Sequence, residues 1–220
     1  MLLSLTAIAL VAAAALATIN GLTKDAIAQV EQNKVQKAIS DVLSQKDAEG
    51  NAVNEIKFDK IVDTTVYIGE KNENGQYGDS VVCHLAYQQE EYVGAAVESS
   101  DPNGFGGFFK VMVGFDADGN VYGYSVLKST ETPGLGAKAD QWFQKDNRGD
   151  ITGKSPANEL KVSKDGGEVD AITGSTITSR AFLRCVNKAY KGVAPAQGKD
   201  DGGQAECVEN VQEEEIIVNE

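Results

Sequence analysis

The sequence predicts an α+β protein, with an N-terminal helix, a central antiparallel sheet and flanking helices. Runs of β-branched and aromatic residues separated by turn residues fill the middle of the chain, whereas helical spacings of apolar residues occur before and after them. Strands that are grouped along the chain, and do not alternate with helices, are typical of this fold class. With 220 residues, the chain is long enough for one domain and additional segments.

The first segment is an uncharged stretch of 18 residues, Leu2–Ile19. As a helix it would measure about 27 Å, which is close to the thickness of the hydrocarbon layer of a bilayer. We therefore predict a transmembrane helix over residues 1–20. A cleaved signal peptide, for which Ala15-Leu16-Ala17 fits a cleavage pattern, and a buried core helix are the alternatives. No basic residue precedes the stretch, which favours an anchor over a signal peptide.

A second helical pattern follows over residues 21–45 and predicts a juxtamembrane helix that packs on the soluble domain. Its apolar residues recur at helical spacings: Ile27, Val30, Val35, Ala38, Ile39 and Val42. Three lysines also lie after the uncharged stretch, at Lys24, Lys34 and Lys37. By the positive-inside rule alone, they would place this side of the membrane in the cytoplasm.

Residues 46–194 are predicted to form the soluble domain, beginning with a turn-rich linker. Strands are predicted in four runs, over residues 55–69, 80–88, 91–99 and 107–129. The last run is the clearest hairpin, because two apolar halves are joined at Asp118-Gly119-Asn120. Residues 137–145 predict a short helix and Glu159–Val162 a short strand. Residues 175–193 predict a longer helix with these residues on one face: Ile177, Phe182, Leu183, Val186 and Tyr190.

The charge of the chain is strongly negative, and it is concentrated at the C-terminal end. The formal net charge is −13, which argues against nucleic acid as a partner because nucleic-acid binders carry basic surfaces. Residues 199–220 contain eight acidic residues and one lysine. We predict that residues 195–220 form an acidic, flexible tail. Within it, the stretch EIIV (residues 215–218) is the candidate for a late-docking strand or a partner contact.

Cysteine and histidine are too sparse for a metal centre. The three cysteines, Cys83, Cys185 and Cys207, are far apart, and His84 is the single histidine. A structural zinc site needs about four clustered ligands. An odd number of cysteines also leaves no complete disulfide framework. We therefore expect no metal and interpret the cysteines as structural thiols.

Two stretches contain polar and glycine residues at positions where a ligand could be held. The first, TETPGLGAK (Thr130–Lys138), joins a predicted strand to a predicted helix, so it is either a plain connecting loop or a ligand loop. The second, VDAITGSTITSR (residues 169–180), opens the long helix. Its hydroxyl residues are either helix caps with solvated neighbours or a phosphate site, because a helix N-terminus presents unpaired N–H groups to an anion.

A third stretch, NGFGGFF (Asn103–Phe109), resembles a nucleotide-binding loop only superficially. Such a loop follows a strand and precedes a helix, whereas an apolar strand follows these glycines. We interpret the stretch as a tight turn that lies under a ligand or another loop.

These stretches occur in an order that resembles the FMN-binding domains of the G subunits of Rnf electron-transport complexes. The related C subunits of Na⁺-translocating NADH:quinone reductases are similar. The resemblance covers roughly residues 100–192 and rests on ETPGLG together with DAITGSTITSR. In that family, the final Thr of a Ser-Gly-Ala-Thr signature carries FMN through a phosphoester bond, which a flavin transferase makes from FAD. Thr173 and Ser175 stand here where the signature has Ser and Ala.

The resemblance implies the site residues as well as the cofactor. Thr176 matches the threonine that carries the FMN, while Glu131 and Thr132 would meet the polar edge of the ring and Leu135 would pack on its face. The other residues implied at the site are Thr173, Gly174, Ser175, Ile177, Thr178 and Gly136. No side chain is implied as a catalytic acid, base or nucleophile, because the cofactor does the redox chemistry.

The resemblance also implies a function, with two alternatives. The chain would be a flavoprotein subunit of a complex that couples electron transfer from ferredoxin to NAD⁺ to ion export. Its partners would be the membrane and iron–sulfur subunits, with the flavin domain on the periplasmic or outer side of the bacterial inner membrane. The alternatives are the C subunit of the quinone-reductase complex and an anchored binding module with no redox role.

Overall fold

The computed structural model describes residues 2–46, 52–71, 77–194 and 205–208. The chain divides into two compact units, Met1–Lys37 and Ala38–Glu220. Helix α1 spans Leu2–Val42, so the two helical patterns near the N-terminus belong to one helix. Its stretch of alanines and leucines has high helix propensity. Within the described residues, no helix combines the length and the apolar character that crossing a membrane requires.

The second unit is built on an antiparallel sheet that has six strands in the described residues. In chain order these strands are β3 (Lys60–Lys71), β4 (Tyr77–Gln88), β5 (Glu91–Gly104), β6 (Gly107–Asp116), β7 (Val121–Ser129) and β8 (Ala205–Val208). Their order in the sheet is β7-β6-β5-β4-β3-β8. Before them, β1 (Ser44–Lys46) and β2 (Ala52–Glu55) form a separate antiparallel pair.

One face of the sheet packs on helix α3, which spans Thr176–Val193. Alternate residues of β6 are buried on this face, from Phe109 to Phe115. The ring of Phe182 from α3 stacks on Phe143 with a centroid distance of 4.2 Å. It also meets the ring of Tyr124, on β7, edge-on at 4.7 Å. This aromatic cluster fixes the helix on the sheet and so fixes where the helix begins.

The other face of β6 is approached closely by the C-terminal end of α1. Ala38, Ile39 and Val42 of that helix are buried. A Cβ atom on Gly114 would come within 2.1 Å of the Val42 carbonyl oxygen. Any side chain at position 114 would therefore displace this end of the helix, which explains the glycine in an otherwise apolar strand.

The structure confirms most of the predicted strands and the long helix, and it corrects two shorter elements. Strands β4 and β5 include the runs predicted over residues 80–88 and 91–99. The hairpin with its turn at Asp118–Asn120 and the helix that begins near residue 175 are present. The helix predicted over residues 137–145 is shorter, because it consists of a 3₁₀ turn at Gly136–Lys138 followed by α2 at Ala139–Trp142.

The strand predicted over Glu159–Val162 is wrong. A 3₁₀ turn occupies Pro156–Asn158, and pairing is limited to a bridge between Val162 and Val169. The side-chain amide of Asn187 explains the difference. It accepts from the Leu160 N–H and donates to the Leu160 carbonyl oxygen, both at 2.9 Å, so the backbone of Leu160 needs no neighbouring strand.

At one end of the sheet β8 is the edge strand, and at the other end loop residues bond to part of β7. On one side β8 pairs with β3, from Thr65 opposite Val208 to Ile68 opposite Ala205. On the other side, the Val121 N–H donates to the Lys154 carbonyl oxygen at 2.9 Å, and Gln144 donates to the Tyr124 carbonyl oxygen at 3.1 Å. Part of the tail predicted as flexible is thus a strand, whereas residues 215–218 lie outside the described residues.

Two cysteines lie in the core, as expected of structural thiols. Cys83 and Cys185 are buried and form no disulfide. Burial raises the pKa of the Cys185 thiol to about 12, because the charged thiolate is poorly solvated there. The thiolate is the nucleophilic form, so this cysteine is inert at neutral pH.

His84 on β4 is a buried residue at the centre of a cluster of charges. Its Nδ1 atom lies 2.6 Å from Asp63 Oδ1, and its Nε2 atom lies 3.6 Å from Glu98 Oε1. Lys110 forms an ion pair with the same Glu98. Burial alone would lower the pKa of His84, but the hydrogen bond to Asp63 and the interaction with Glu98 outweigh it and raise the pKa to about 9.

We expect this cluster to make the domain less stable at alkaline pH. The pKa of His84 is higher in the folded protein than its ordinary value of 6.5, so protonation favours folding. The contribution, of the order of 2–3 kcal/mol, is complete below about pH 6.5 and is lost as the pH rises through about 9. Urea unfolding between about pH 6 and about pH 10 measures it. His84→Gln should flatten that pH dependence; equal slopes for the two proteins would contradict the assignment.

Candidate functional site

The buried carboxylate of Glu131 joins three segments at one end of the sheet. Glu131 is only 8% exposed. Its Oε1 atom accepts from the N–H of Gly106, in the turn between β5 and β6, at 3.1 Å. Its Oε2 atom accepts from the hydroxyl of Thr178, in the first turn of α3, at 2.8 Å. The loop, the turn and the helix start are therefore held together by a single side chain.

Glycines allow this close approach of backbone and carboxylate. A Cβ atom on Gly136 would lie 2.4 Å from Glu131 Oε2 and 2.8 Å from Thr178 Oγ1. A Cβ atom on Gly106 would lie 2.1 Å from the Thr130 carbonyl oxygen. The Thr130 hydroxyl also donates to the Gly106 carbonyl oxygen at 2.7 Å. The stretch Asn103–Phe109 is thus a tight turn against another loop, as the sequence predicts.

We expect Glu131→Ala to destabilise the fold by about 2–4 kcal/mol, because the Gly106 N–H and the Thr178 hydroxyl lose their shared acceptor. Urea unfolding of the full chain measures the change. The neighbouring Thr132 is exposed. Thr132→Ala should therefore change the stability by no more than about 0.5 kcal/mol. Similar effects of the two substitutions would show that the carboxylate does not hold these segments.

The hydroxyl residues at the start of α3 have different environments. The Ser179 hydroxyl accepts from the Ile172 N–H at 2.9 Å and donates to the Ser175 carbonyl oxygen at 3.0 Å. Thr178 and Ser179 are fully buried, and Ser175 is 7% exposed. Thr173 is exposed and Thr176 is half-buried. Thr173 and Thr176 are therefore the residues of this group that a large reagent can reach.

Glycine shapes the chain just before the helix. Gly174 has a φ angle of +78°, in the left-handed region that disfavours other residues. The following residue, Ser175, occupies the N-cap position, but its side chain forms no capping hydrogen bond. The hydroxyl that sequence analysis considered as a cap therefore does not serve as one, and the N–H groups of the first turn stay available.

The two stretches predicted to hold a ligand, TETPGLGAK and VDAITGSTITSR, lie side by side at Leu135 and Gly174. The Leu135 Cδ2 atom lies 3.6 Å from the position that a Cβ atom on Gly174 would take. The ETPGLG loop and the helix start, which are separated by some forty residues in the sequence, are thus neighbours in the fold.

Large exposed apolar side chains are concentrated on the same three segments. In the described part of the second unit, five such residues are exposed, and four of them lie on the turn, the start of β6, the loop or the first turn of α3: Phe105, Phe108, Leu135 and Ile177. Exposed apolar groups beside a reachable hydroxyl suit a flat aromatic ligand with an anionic group.

Sequence analysis missed a lysine that contacts the helix start. Lys164 lies in a 3₁₀ turn at Ser163–Asp165, and its Nζ atom donates to the Thr176 hydroxyl at 3.3 Å. The turn is fastened by a bidentate ion pair in which Arg180 donates to Asp165 at 2.6 and 2.7 Å. The position of Arg180, one helical turn after Thr176, was visible in the sequence, but nothing there indicated its partner.

The chain is similar to known proteins over most of its length. The FMN-binding domain family matches residues 104–191, which include the turn, the loop and the helix start. The G subunit of the ion-translocating oxidoreductase complex of Aliivibrio fischeri (strain ATCC 700601 / ES114) is 34% identical over 188 residues, covering 81% of this chain and 82% of the relative.

Two further relatives align with similar fractions of this chain and of their own length. The G subunit of the ion-translocating oxidoreductase complex of Escherichia coli (strain K12) is 34% identical over 187 residues, or 82% of this chain and 84% of the relative. The G subunit of the Na⁺-translocating ferredoxin:NAD⁺ oxidoreductase complex of Acetobacterium woodii is 37% identical over 190 residues, or 84% and 86%.

Proposed function

Since this chain belongs to the family of G subunits of ion-translocating oxidoreductase complexes, as an FMN-containing electron-transfer subunit, we propose that its FMN is bound covalently at Thr176. The bond would be a phosphoester between the Thr176 Oγ atom and the flavin phosphate. The observation that carries this proposal is the position of Thr176, which is the first residue of α3 and the half-buried one among its hydroxyl neighbours.

The environment of the other hydroxyls supports Thr176 over them. Ser175 is nearly buried, and Thr178 and Ser179 are already bonded within the fold. Thr173 is reachable, but it precedes Gly174 and lies before the helix begins. An ester at Thr176 places its phosphate at the positive end of the helix dipole.

The chemistry of attachment requires a second enzyme and a flavin donor. A flavin transferase would join Thr176 Oγ to the flavin-side phosphorus of FAD, and the pyrophosphate bond would break to release AMP. The threonine proton would pass to a base of the transferase. A covalent bond keeps the cofactor from dissociating between turnovers, which suits a carrier in a chain of subunits.

The ring of the FMN would lie on the apolar surface beside the helix start. Leu135 and Ile177 are exposed there and are free to cover its faces, while Thr132 is the exposed polar group of the loop. Glu131 is already bonded to Gly106 and Thr178, so we assign it to positioning the loop and Gly136 to making room for it. The flavin supplies the redox chemistry, and these residues orient it and shield it from water.

We further propose that electrons pass between ferredoxin-linked and NAD-linked subunits, as the name of the Acetobacterium woodii relative indicates for that protein. Residues 1–20 would anchor the chain in the bacterial inner membrane, with the flavin domain on the periplasmic or outer side. The anchor rests on the uncharged stretch Leu2–Ile19 and on the exposure of Leu10 and Leu16. Recovery of the full chain with membranes, and its loss when residues 2–19 are deleted, would test the anchor.

Mass spectrometry tests the attachment site directly. The full chain is produced with a flavin transferase and digested with trypsin, which cleaves after Lys164 and Arg180. We expect the peptide of residues 165–180 to carry the mass of FMN less one water, and fragmentation to place it on Thr176. An unmodified peptide from a host with an active transferase would overturn the covalent site.

A further inference from the structure

Helix α3 begins with an uncompensated positive charge. Its first turn contains no acidic residue, and the N-cap residue Ser175 makes no side-chain capping bond. The ammonium group of Lys164 adds to this charge, since it lies 3.3 Å from Thr176 Oγ1. A cation is unfavourable at a helix N-terminus, because the dipole is positive there. The arrangement is therefore suited to an anion that is not part of the folded chain.

Lys164 is exposed, and the carboxylates nearest to it in the sequence are hydrogen-bonded to other groups. Asp165, the next residue, is bound in both oxygens by Arg180. Asp170 accepts from the Ser163 hydroxyl at 3.0 Å. In the described parts of the chain, Lys164 forms no ion pair with a carboxylate. Lys161, three residues earlier, is paired with Glu159 at 3.0 Å.

The backbone that carries Lys164 is fixed against the helix. The Ser163 N–H donates to the Val169 carbonyl oxygen at 2.8 Å, and Gly166 closes the turn with a φ angle of +83°. The Arg180 to Asp165 ion pair holds the turn one helical turn beyond Thr176. Lys164 is thus held beside the Thr176 hydroxyl by contacts on both sides of it in the sequence.

From this geometry we infer that Lys164 binds the phosphate of the flavin ester at Thr176, as a positioning residue for the cofactor. The inference rests on the proposed attachment site. The ester phosphate carries one negative charge, and its free oxygens would accept hydrogen bonds from the ammonium group and from the first N–H groups of α3. Lys164 is then favourable in the flavin-bearing protein and slightly unfavourable in the unmodified one.

The opposite effects of Lys164 on the stability of the two forms can be measured by thermal unfolding. The full chain is prepared with and without flavin transferase, as wild type, Lys164→Gln, Lys164→Arg and the control Lys161→Gln. In Lys164→Gln, we expect the unmodified protein to be as stable as the wild type or slightly more so. We expect the rise in Tm caused by flavin attachment to be smaller than in the wild type by about 2–4 °C. Lys164→Arg and Lys161→Gln should keep the full rise.

Each result decides the question. An unchanged rise in Lys164→Gln would overturn the inference, and so would an unmodified Lys164→Gln protein that fails to fold, because the lysine would then be structural. A folded Lys164→Gln protein that takes no flavin, while Lys161→Gln is modified, would support it. If the wild-type protein takes no flavin from an active transferase, the proposed attachment site is wrong. That result differs from one in which flavin is attached but raises the Tm of Lys164→Gln as much as that of the wild type, which would overturn only the role of Lys164.

Discussion

In Thr176→Val, we expect a normally folded protein that carries no covalent FMN. Valine has nearly the shape of threonine but lacks the oxygen that would form the ester. The half-buried hydroxyl of Thr176 accepts a hydrogen bond from an exposed lysine, so its loss should change the stability by no more than about 0.5 kcal/mol. The measurement is flavin fluorescence of the band on a denaturing gel, after production with the transferase.

Ser175→Ala is the matched control for this variant. Ser175 is adjacent and nearly buried, and its side chain makes no capping bond. We expect Ser175→Ala to keep the fluorescent band at wild-type intensity. A band that persists in Thr176→Val and disappears in Ser175→Ala would move the attachment to the other hydroxyl. Thr176→Val should also abolish electron transfer through the assembled complex, because the carrier would be missing.

The largest effect on stability is expected for Phe182→Ala, which should lower the free energy of unfolding by about 3–5 kcal/mol. Phe182 is fully buried and touches the rings of Phe143 and Tyr124. Its removal would leave a cavity between α3 and the sheet, and the surrounding rings can close only part of it. Urea unfolding of the full chain gives the value, provided that the slope with urea stays the same.

Phe108→Ala is the comparison for this experiment. Phe108 is exposed by 43%, so its removal leaves no cavity in the core. We expect a loss of less than about 1 kcal/mol. Equal losses in the two variants would contradict the central position of Phe182. Because Phe182 also fixes α3, Phe182→Ala should reduce flavin attachment more than Phe108→Ala does.

Local patterns in the sequence were sufficient to predict the hairpin and the long helix. Asp118-Gly119-Asn120 marks a tight turn between alternating strands, and the apolar face around Phe182 has helical spacing. Both features depend on residues that are close in the chain. The order of the glycine-rich and hydroxyl-rich stretches then indicated the cofactor, through resemblance to a family.

Local sequence patterns could not predict contacts between residues that are far apart in the chain. The bond between Glu131 and Thr178 spans 47 residues, and nothing near either residue indicates the other. The sequence predicts that Glu131 meets the polar edge of the ring, but it gives no sign that the carboxylate is also bonded to Gly106 and Thr178. The amide of Asn187 likewise replaces a strand partner for Leu160 from 27 residues away. Lys164 was missed for the same reason.

The backbone bonds at the two ends of the sheet bear on how this protein assembles. An open strand at the end of a sheet offers its backbone to any other chain, and it is a common starting point for aggregation and amyloid-like stacking. Here β8 pairs with β3, and Lys154 and Gln144 occupy backbone groups of β7. At Val121 and Tyr124, a neighbouring subunit would therefore have to recognise the domain through side chains, because these backbone groups are already bonded within the chain.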